Sequence, residues 1–272
     1  MIEGKKGKIG VFDSGFGGLS ILKEIVEVLP QYDYVYLGDS ARAPYGPRSQ
    51  DEVLKFTTEG VEFLFSYGAE IVILACNTAS SEALRKIQQE YLPAKYPTRR
   101  VLGMIFPACE EAVLRTQNKK VGVLGTDATI SSHAFKRELE KLDSQIEVHE
   151  VAAPLLVPLV EMGEEKSESA KNLISKYLAE LPEAIDTLVL GCTHYGFLVD
   201  DIRKAMPTAR VISEGDVVGG KLRDYLFRHT EIEGRLSKNH SLDFLTTGEV
   251  NIFDSHGSRF FGTEIKSQKV NL

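Results

Sequence analysis

Short apolar runs alternate with longer segments of helical period along this chain, the pattern of an α/β protein with mainly parallel sheets. The runs that predict strands are Lys8–Phe12, Tyr34–Leu37, Ile71–Ala75, Val101–Ile105, Val121–Leu124, Glu147–Val151, Leu188–Leu190, Arg210–Ile212 and, last, Leu242–Thr246. Helical spacing predicts Gly18–Leu29, Gln50–Tyr67, Ser80–Tyr91, Ser167–Leu181 and Val217–Arg228, with a shorter helix near Val250–Phe261. Pro93, Pro97 and the basic pair Arg99-Arg100 suggest a crossing between two halves, and a second is expected near Glu214-Gly215. The expected organisation is therefore a first domain of residues 1–99 plus 214–272, with residues 100–213 inserted as a second. In open α/β sheets, ligands bind beyond the carboxyl ends of the strands.

Two of these runs nearly repeat one another: Ile71-Val-Ile-Leu-Ala-Cys76-Asn77-Thr78 and Thr187-Leu-Val-Leu-Gly-Cys192-Thr193-His194. Each places a thiol where a buried strand leaves its sheet. With only three cysteines in the chain, two in matched settings point to a pair of reactive thiols facing one substrate. That suits moving a proton from one face of a carbon to the other.

Composition and charge act mainly by exclusion. A chain of 272 residues can bury a core as one large or two small domains. Its 43% hydrophobic and 26% charged residues are those of an ordinary soluble protein. A net charge of −7, without a basic block, argues against nonspecific nucleic-acid binding. The longest apolar stretches fall short of a membrane span. The charged start, Met1 to Lys8, runs into the first strand without the apolar segment of a secretory signal. Three cysteines make no disulfide framework. The cytoplasm is the expected compartment, with Cys76 and Cys192 kept as thiols; a disulfide between them is the bland alternative.

A free thiol has a pKa of about 8.5, which a helix N-terminus or a cationic neighbour lowers. Both cysteines precede expected helix starts, where unsatisfied N–H groups favour an anion. One as thiolate and one as thiol would supply a base and an acid on opposite faces of a substrate carbon. Covalent catalysis by one cysteine is the competing use, and buried structural cysteine is the plain reading of either. Phe12-Asp13-Ser14-Gly15-Phe16-Gly17-Gly18 follows the first strand. Its glycines permit tight turns and its N–H groups can hold an anion, but it is neither a dinucleotide fingerprint nor a P-loop. Asp13 is placed to orient or deprotonate a thiol, or simply to cap a helix; Ser14 offers a hydroxyl to substrate.

His194, two residues beyond Cys192, can be that thiol's proton partner, with an ordinary pKa near 6.5. A zinc site would need further ligands at suitable spacing, and neither Cys-x-x-Cys nor His-Glu-x-x-His is present; no metal is expected. The Gly38–Gly46 loop can present backbone N–H groups to a carboxylate at Tyr45 and Gly46. Asn77, Thr78 and Thr193 can bind an amino acid's carboxylate and ammonium, or cap the following helices. Cys109, without a matching partner, reads as structural.

These residues resemble the glutamate racemases. The resemblance rests on Phe12-Asp-Ser-Gly-Phe-Gly-Gly-Leu-Ser, Asp39-Ser-Ala-Arg-Ala-Pro-Tyr-Gly, Ala75-Cys-Asn-Thr-Ala-Ser and Gly191-Cys-Thr-His-Tyr, taken in order. Pro154-Leu-Leu-Val-Pro-Leu-Val-Glu161 and Val121-Gly-Val-Leu-Gly-Thr-Asp-Ala-Thr add to it. It implies two similar three-layer α/β domains with the active site in the cleft between them, usually in a homodimer. It implies a cofactor-independent racemase that interconverts L- and D-glutamate and supplies D-glutamate for peptidoglycan. By motif, Cys76 and Cys192 correspond to the catalytic acid/base pair, Asp13 and His194 to their assisting groups, and Glu161 to a further helper. Substrate contacts carry over to Asp13, Ser14, Tyr45, Gly46, Asn77, Thr78, Thr193 and His194. Aspartate racemases of the same superfamily typically carry an acidic residue where His194 stands, and arylmalonate decarboxylases keep only the second cysteine. A silent binding protein on this fold would not require both thiols and their partners.

Overall fold

The computed structural model describes residues 6–272; the charged start at Met1–Lys5 lies outside them. The chain opens with β1 (Lys8–Asp13), α1 (Gly18–Val28), β2 (Tyr34–Gly38), α2 (Gln50–Tyr67), β3 (Ala69–Leu74), α3 (Asn77–Glu82), α4 (Leu84–Lys86), α5 (Leu92–Lys95) and β4 (Arg100–Gly103). There follow α6 (Ile105–Arg115), β5 (Lys120–Gly125), α7 (Asp127–Ser131), α8 (Ala134–Leu142), β6 (Glu147–Ala152), α9 (Leu156–Glu161), α10 (Glu168–Leu178), β7 (Thr187–Gly191), α11 (Val199–Ala205) and β8 (Arg210–Ser213). It closes with α12 (Glu214–Arg228), α13 (Thr230–Glu233), β9 (Leu242–Thr246), α14 (Val250–Phe261) and β10 (Ser267–Lys269).

Two parallel sheets result, one of six strands in the order β10-β9-β2-β1-β3-β4 and one of four in the order β6-β5-β7-β8. The first draws strands from both ends of the chain and the second from its middle, so the fold is α/β with two sheet regions. Their central strands are apolar on both faces, as buried parallel strands are. Alternate residues then serve different cores. Ile9 and Val11, Tyr34 and Tyr36, Ile71 and Ile73, and Leu188 and Leu190 all join one central core. Phe12, Val35, Leu37, Val72 and Leu74 face an outer core under α2. Val121, Val123 and Val189 face the other outer core, under α6 and α8. The central core is shared by both sheets and filled by α1, α9, α10, α12 and α14.

Several boundaries differ from the sequence expectation, each for a physical reason. The strand expected over Val101–Ile105 stops at Gly103, because Ile105 begins α6 and buries against the outer core. Arg100–Gly103 still pairs with β3, so the crossing expected before residue 100 comes after β4, at Met104. The helix expected over Ser80–Tyr91 is broken into α3, α4, a π-turn at Ile87–Tyr91 and α5. Pro93 does not end it, since it sits in the first turn of α5, where a missing N–H costs little. At the second expected crossing there is no loop: Ser213 ends β8 and is also the N-cap of α12. The edge strand β10 was not expected; three residues carry too little pattern to read.

Gly60 of α2 lies against the Phe12 ring, and a Cβ there would come within 2.3 Å of Phe12 Cε2. Phe12 adjoins Asp13 and is fully buried. Gly60→Val is therefore expected to destabilise the protein by about 1–3 kcal/mol through overpacking, measured by urea unfolding; an unchanged midpoint would refute this packing.

Candidate active site

In parallel sheets all strands end on the same edge, and this brings the sequence-predicted residues together. Asp13 ends β1; Cys76 follows β3, its neighbour in the first sheet; Cys192 follows β7 in the second. The loop after β1 is wedged between the two thiol segments. Gly18 packs so closely that a Cβ would come within 2.7 Å of Asp13 Cβ and 2.9 Å of Ala75 Cβ. At Gly17 a Cβ would come within 2.5 Å of Thr193 Oγ1 and 2.6 Å of His194 Cε1. Only glycine permits both approaches.

Cys76 is the N-cap of α3, with its Sγ accepting the Ala79 N–H at 3.5 Å and donating to Ser14 Oγ at 3.5 Å. Cys192 has extended backbone before a 3₁₀ segment, Thr193–Leu198. Its Sγ lies 3.7 Å from His194 Nδ1, and Thr193 Oγ1 lies 3.3 Å from the same nitrogen. His194 Nε2 is 3.1 Å from Glu161 Oε1 at the end of α9. Cys192, His194 and Glu161 thus form a file, while Ser14 and Asp13 attend Cys76. Asp13 Oδ1 accepts the Gly15 N–H at 2.9 Å, a turn-forming bond within its own loop rather than a side-chain cap on the N-cap position of α1. All three cysteines are free and buried. The disulfide alternative is therefore not what the structure forms.

The remaining predicted residues converge from both sheets. Thr78 Oγ1 lies 3.1 Å from Thr126 Oγ1, across the two regions. Gly46 faces the same Thr126, whose Cβ is 3.6 Å from where a Gly46 Cβ would stand. Tyr45 is buried with its phenol donating to Asp39 Oδ2 at 2.5 Å and its carbonyl accepting the Arg48 N–H at 3.0 Å, so its backbone N–H is the group left to serve the site. Asp39 also accepts from Arg42 Nε at 2.7 Å and Thr247 Oγ1 at 2.8 Å, which fixes the whole loop. Asn77 Nδ2 donates to Glu214 Oε2 at 2.6 Å. Cys109 lies apart, inside α6, with its thiol directed at the Phe135 carbonyl. Among the described residues, no group of three or more His, Cys, Asp or Glu side chains is arranged to hold a metal ion.

Burial overrides the helix N-terminus here. Desolvation, and then the Asp13 charge, push the Cys76 thiol up to about 11, against the bonds from Ser14 and Ala79. Burial likewise holds Cys192 well above the ordinary thiol range, opposed by the His194 backbone N–H and reinforced whenever Cys76 is ionised. Burial thus works against the one thiolate expected of this pair, because a dry site penalises the charged form more than one short turn stabilises it. Asp13 is raised by burial too, against the N–H groups of Gly15 and Gly18 and the charge of His194. Chemically, the site offers two buried acids on facing segments, each beside a group able to take its proton.

Sequence reasoning missed Thr126, Glu214 and an aromatic wall. Phe16 stacks on His256 at 4.9 Å, and Phe260 meets the His194 ring edge-on at 5.5 Å. Thr126 follows a strand just as the cysteines do, a signal that was present. Nothing in sequence marks Glu214 as buried.

The family model for Asp/Glu/Hydantoin racemase matches residues 9–218. A glutamate racemase of Sulfurihydrogenibium sp. is 37% identical over 97% of each chain. The crystal structure of glutamate racemase isoform RacE1 from Bacillus anthracis superposes with a TM-score of 0.90, at 36% identity and 98% coverage of each chain. That of Francisella tularensis, in complex with D-glutamate, gives 0.87 at 32% identity and the same coverage. On the family match, and on these relatives across nearly its whole length, the chain belongs to the Asp/Glu/Hydantoin racemase family, among the glutamate racemases.

Proposed function

We propose that this protein interconverts L- and D-glutamate by passing the α-proton between Cys76 and Cys192, with no metal or organic cofactor. The observation that carries the reading is the pair of free, buried thiols at the ends of strands from two sheets, with the Asp13–Gly18 loop between them. The names of the relatives supply glutamate as the substrate.

In the proposed reaction, Cys76 gives its proton to Asp13 and, as thiolate, takes the α-hydrogen from one face. Cys192 delivers its own proton to the other face and is reprotonated through His194, which Glu161 holds, with water supplying that proton and taking up the one left on Asp13. The reverse direction exchanges the two roles. A thiolate exists only when its proton has moved to a neighbour, which protects the sulfurs between turnovers. Ser14, Asn77, Thr78, Thr193 and the Tyr45–Gly46 backbone would hold the ammonium and the two carboxylates. Preorganised donors at the α-carboxylate stabilise the carbanion character that develops there. The resemblance extends the proposal to a cytoplasmic homodimer that supplies D-glutamate for peptidoglycan, with the two sheet regions acting as the two domains around the site.

In deuterated water, with no cofactor added, L-glutamate is expected to lose optical rotation and gain deuterium at its α-carbon, while L-aspartate does neither. Cys76→Ser and Cys192→Ser should each lower kcat/KM for racemisation by about 10²–10⁴-fold. A Cys76→Ser enzyme racemising at the wild-type rate would rule out the two-thiol scheme. Because the Cys76 thiol rests near 11, its alkylation by iodoacetamide should rise about tenfold per pH unit from pH 7 to 9. Mass spectrometry of the modified peptide measures this, and a flat profile would mean a pre-formed thiolate.

A further inference from the structure

Glu214 stands at the head of α12, 2% exposed, where β8 passes directly into the helix. Its carboxyl and the Asn77 amide are joined by one bond of 2.6 Å, yet each keeps a buried atom without a partner: Oε1 of Glu214 and Oδ1 of Asn77. With Glu214 ionised, both bare atoms are acceptors, and neither can satisfy the other. Two buried, unpaired acceptors are costly. One proton on Oε1 resolves the mismatch. The amide still donates to Oε2, and the acid would gain an O–H that Asn77 Oδ1, the bare acceptor on the same amide, could receive. The position of this pair matters, since Asn77 directly follows Cys76. Glu214, Cys192 and Thr193 line one cavity of about 330 Å³ on the other side.

We propose that Glu214 is a positioning residue of the racemase site that works in its protonated form, an amide–acid pair with Asn77 clamping the Cys76 helix to the Cys192 side until ionisation of Glu214 releases it. This rests on the racemase reading above. It makes the geometry of both thiols depend on a group that touches neither the substrate nor the reacting proton.

The surroundings agree with a proton on Glu214 at neutral pH. Burial raises its carboxyl to about 8, and the bond from Asn77 alone pulls the other way. The titratable and charged groups around this end of α12 are Cys192 at the end of β7 and His194 on the 3₁₀ segment. Lys23 and Glu24 come from α1, Arg259 from α14, Cys109 from α6, and Asp216 from α12 itself. Glu110 of α6 is paired with Lys221. None of these outweighs burial in setting the Glu214 proton. Ionised Glu214 would also oppose thiolate formation, since its charge raises Cys192 once it is present.

The sign for stability follows from linkage. The folded carboxyl keeps its proton up to about 8, whereas the unfolded one loses it in the ordinary carboxylate range. Folding stability therefore falls as pH rises through that window, and Glu214→Gln removes the fall. The glutamine keeps the shape and both hydrogen bonds of the protonated acid but cannot ionise.

Circular dichroism would follow L-glutamate racemisation by wild type and E214Q from pH 6 to 10, alongside Tm. Wild type is expected at pH 9 to retain about a tenth of its own pH 7 kcat, and E214Q roughly all of its own. The Tm advantage of E214Q should be wider at pH 9 than at pH 5. Parallel pH profiles with a constant Tm gap would overturn the proposal. So would the absence from wild type, at pH 6.5, of an infrared carbonyl band of a protonated carboxyl that E214Q lacks. A wild type that does not racemise glutamate would refute the proposed function instead, and the infrared band and the Tm gap would still decide the state of Glu214.

Discussion

The site exists because two parallel sheets share one hydrophobic core. Alternate residues of β1, β2 and β3 from one sheet, and of β7 from the other, are buried against the same layer of helices, with α1 against α12 at its centre. Each large apolar side chain in that layer is worth about 1.5–3 kcal/mol of burial. Separating the sheets would therefore expose many such residues at once. The packing sets the carboxyl edge of one sheet against that of the other, and Cys76 and Cys192 stand on those edges. Neither sheet alone carries both of these cysteines.

Dryness follows from the same packing, and it dominates the chemistry. Asp13, Cys76, Cys192 and Glu214 are all nearly inaccessible, and burial is the first cause of every one of their shifts. Burial pushes each of them toward its neutral form, so every charge the site carries is held against a desolvation cost. The two thiols are attended differently, Cys76 by a carboxylate and a hydroxyl, Cys192 by an imidazole backed by Glu161. The two cysteine sites are thus not symmetric in their parts.

What could be read beforehand divides along physical lines. Strands buried on both faces announce themselves as continuous apolar runs, and a cysteine at the end of such a run has its place on the sheet edge fixed by the parallel topology. Amphipathic helices such as α1 and α2 were equally plain. The breaks within 77–95 were not, because a π-turn and a proline in a first turn leave the helical period almost unchanged. Nor was the end of β4, where Ile105 is as apolar as the strand before it but turns to a different core.

The sequence by itself determined the α/β class, the two thiols and the residues beside them, since these depend on period, chain order and immediate neighbours. Only the tertiary structure decided which distant groups meet: His194 with Glu161, Thr78 with Thr126, Asn77 with Glu214. It also decided how strongly burial opposes charge on the thiols. Desolvation depends on everything that packs around a group, and no local stretch of sequence carries that information.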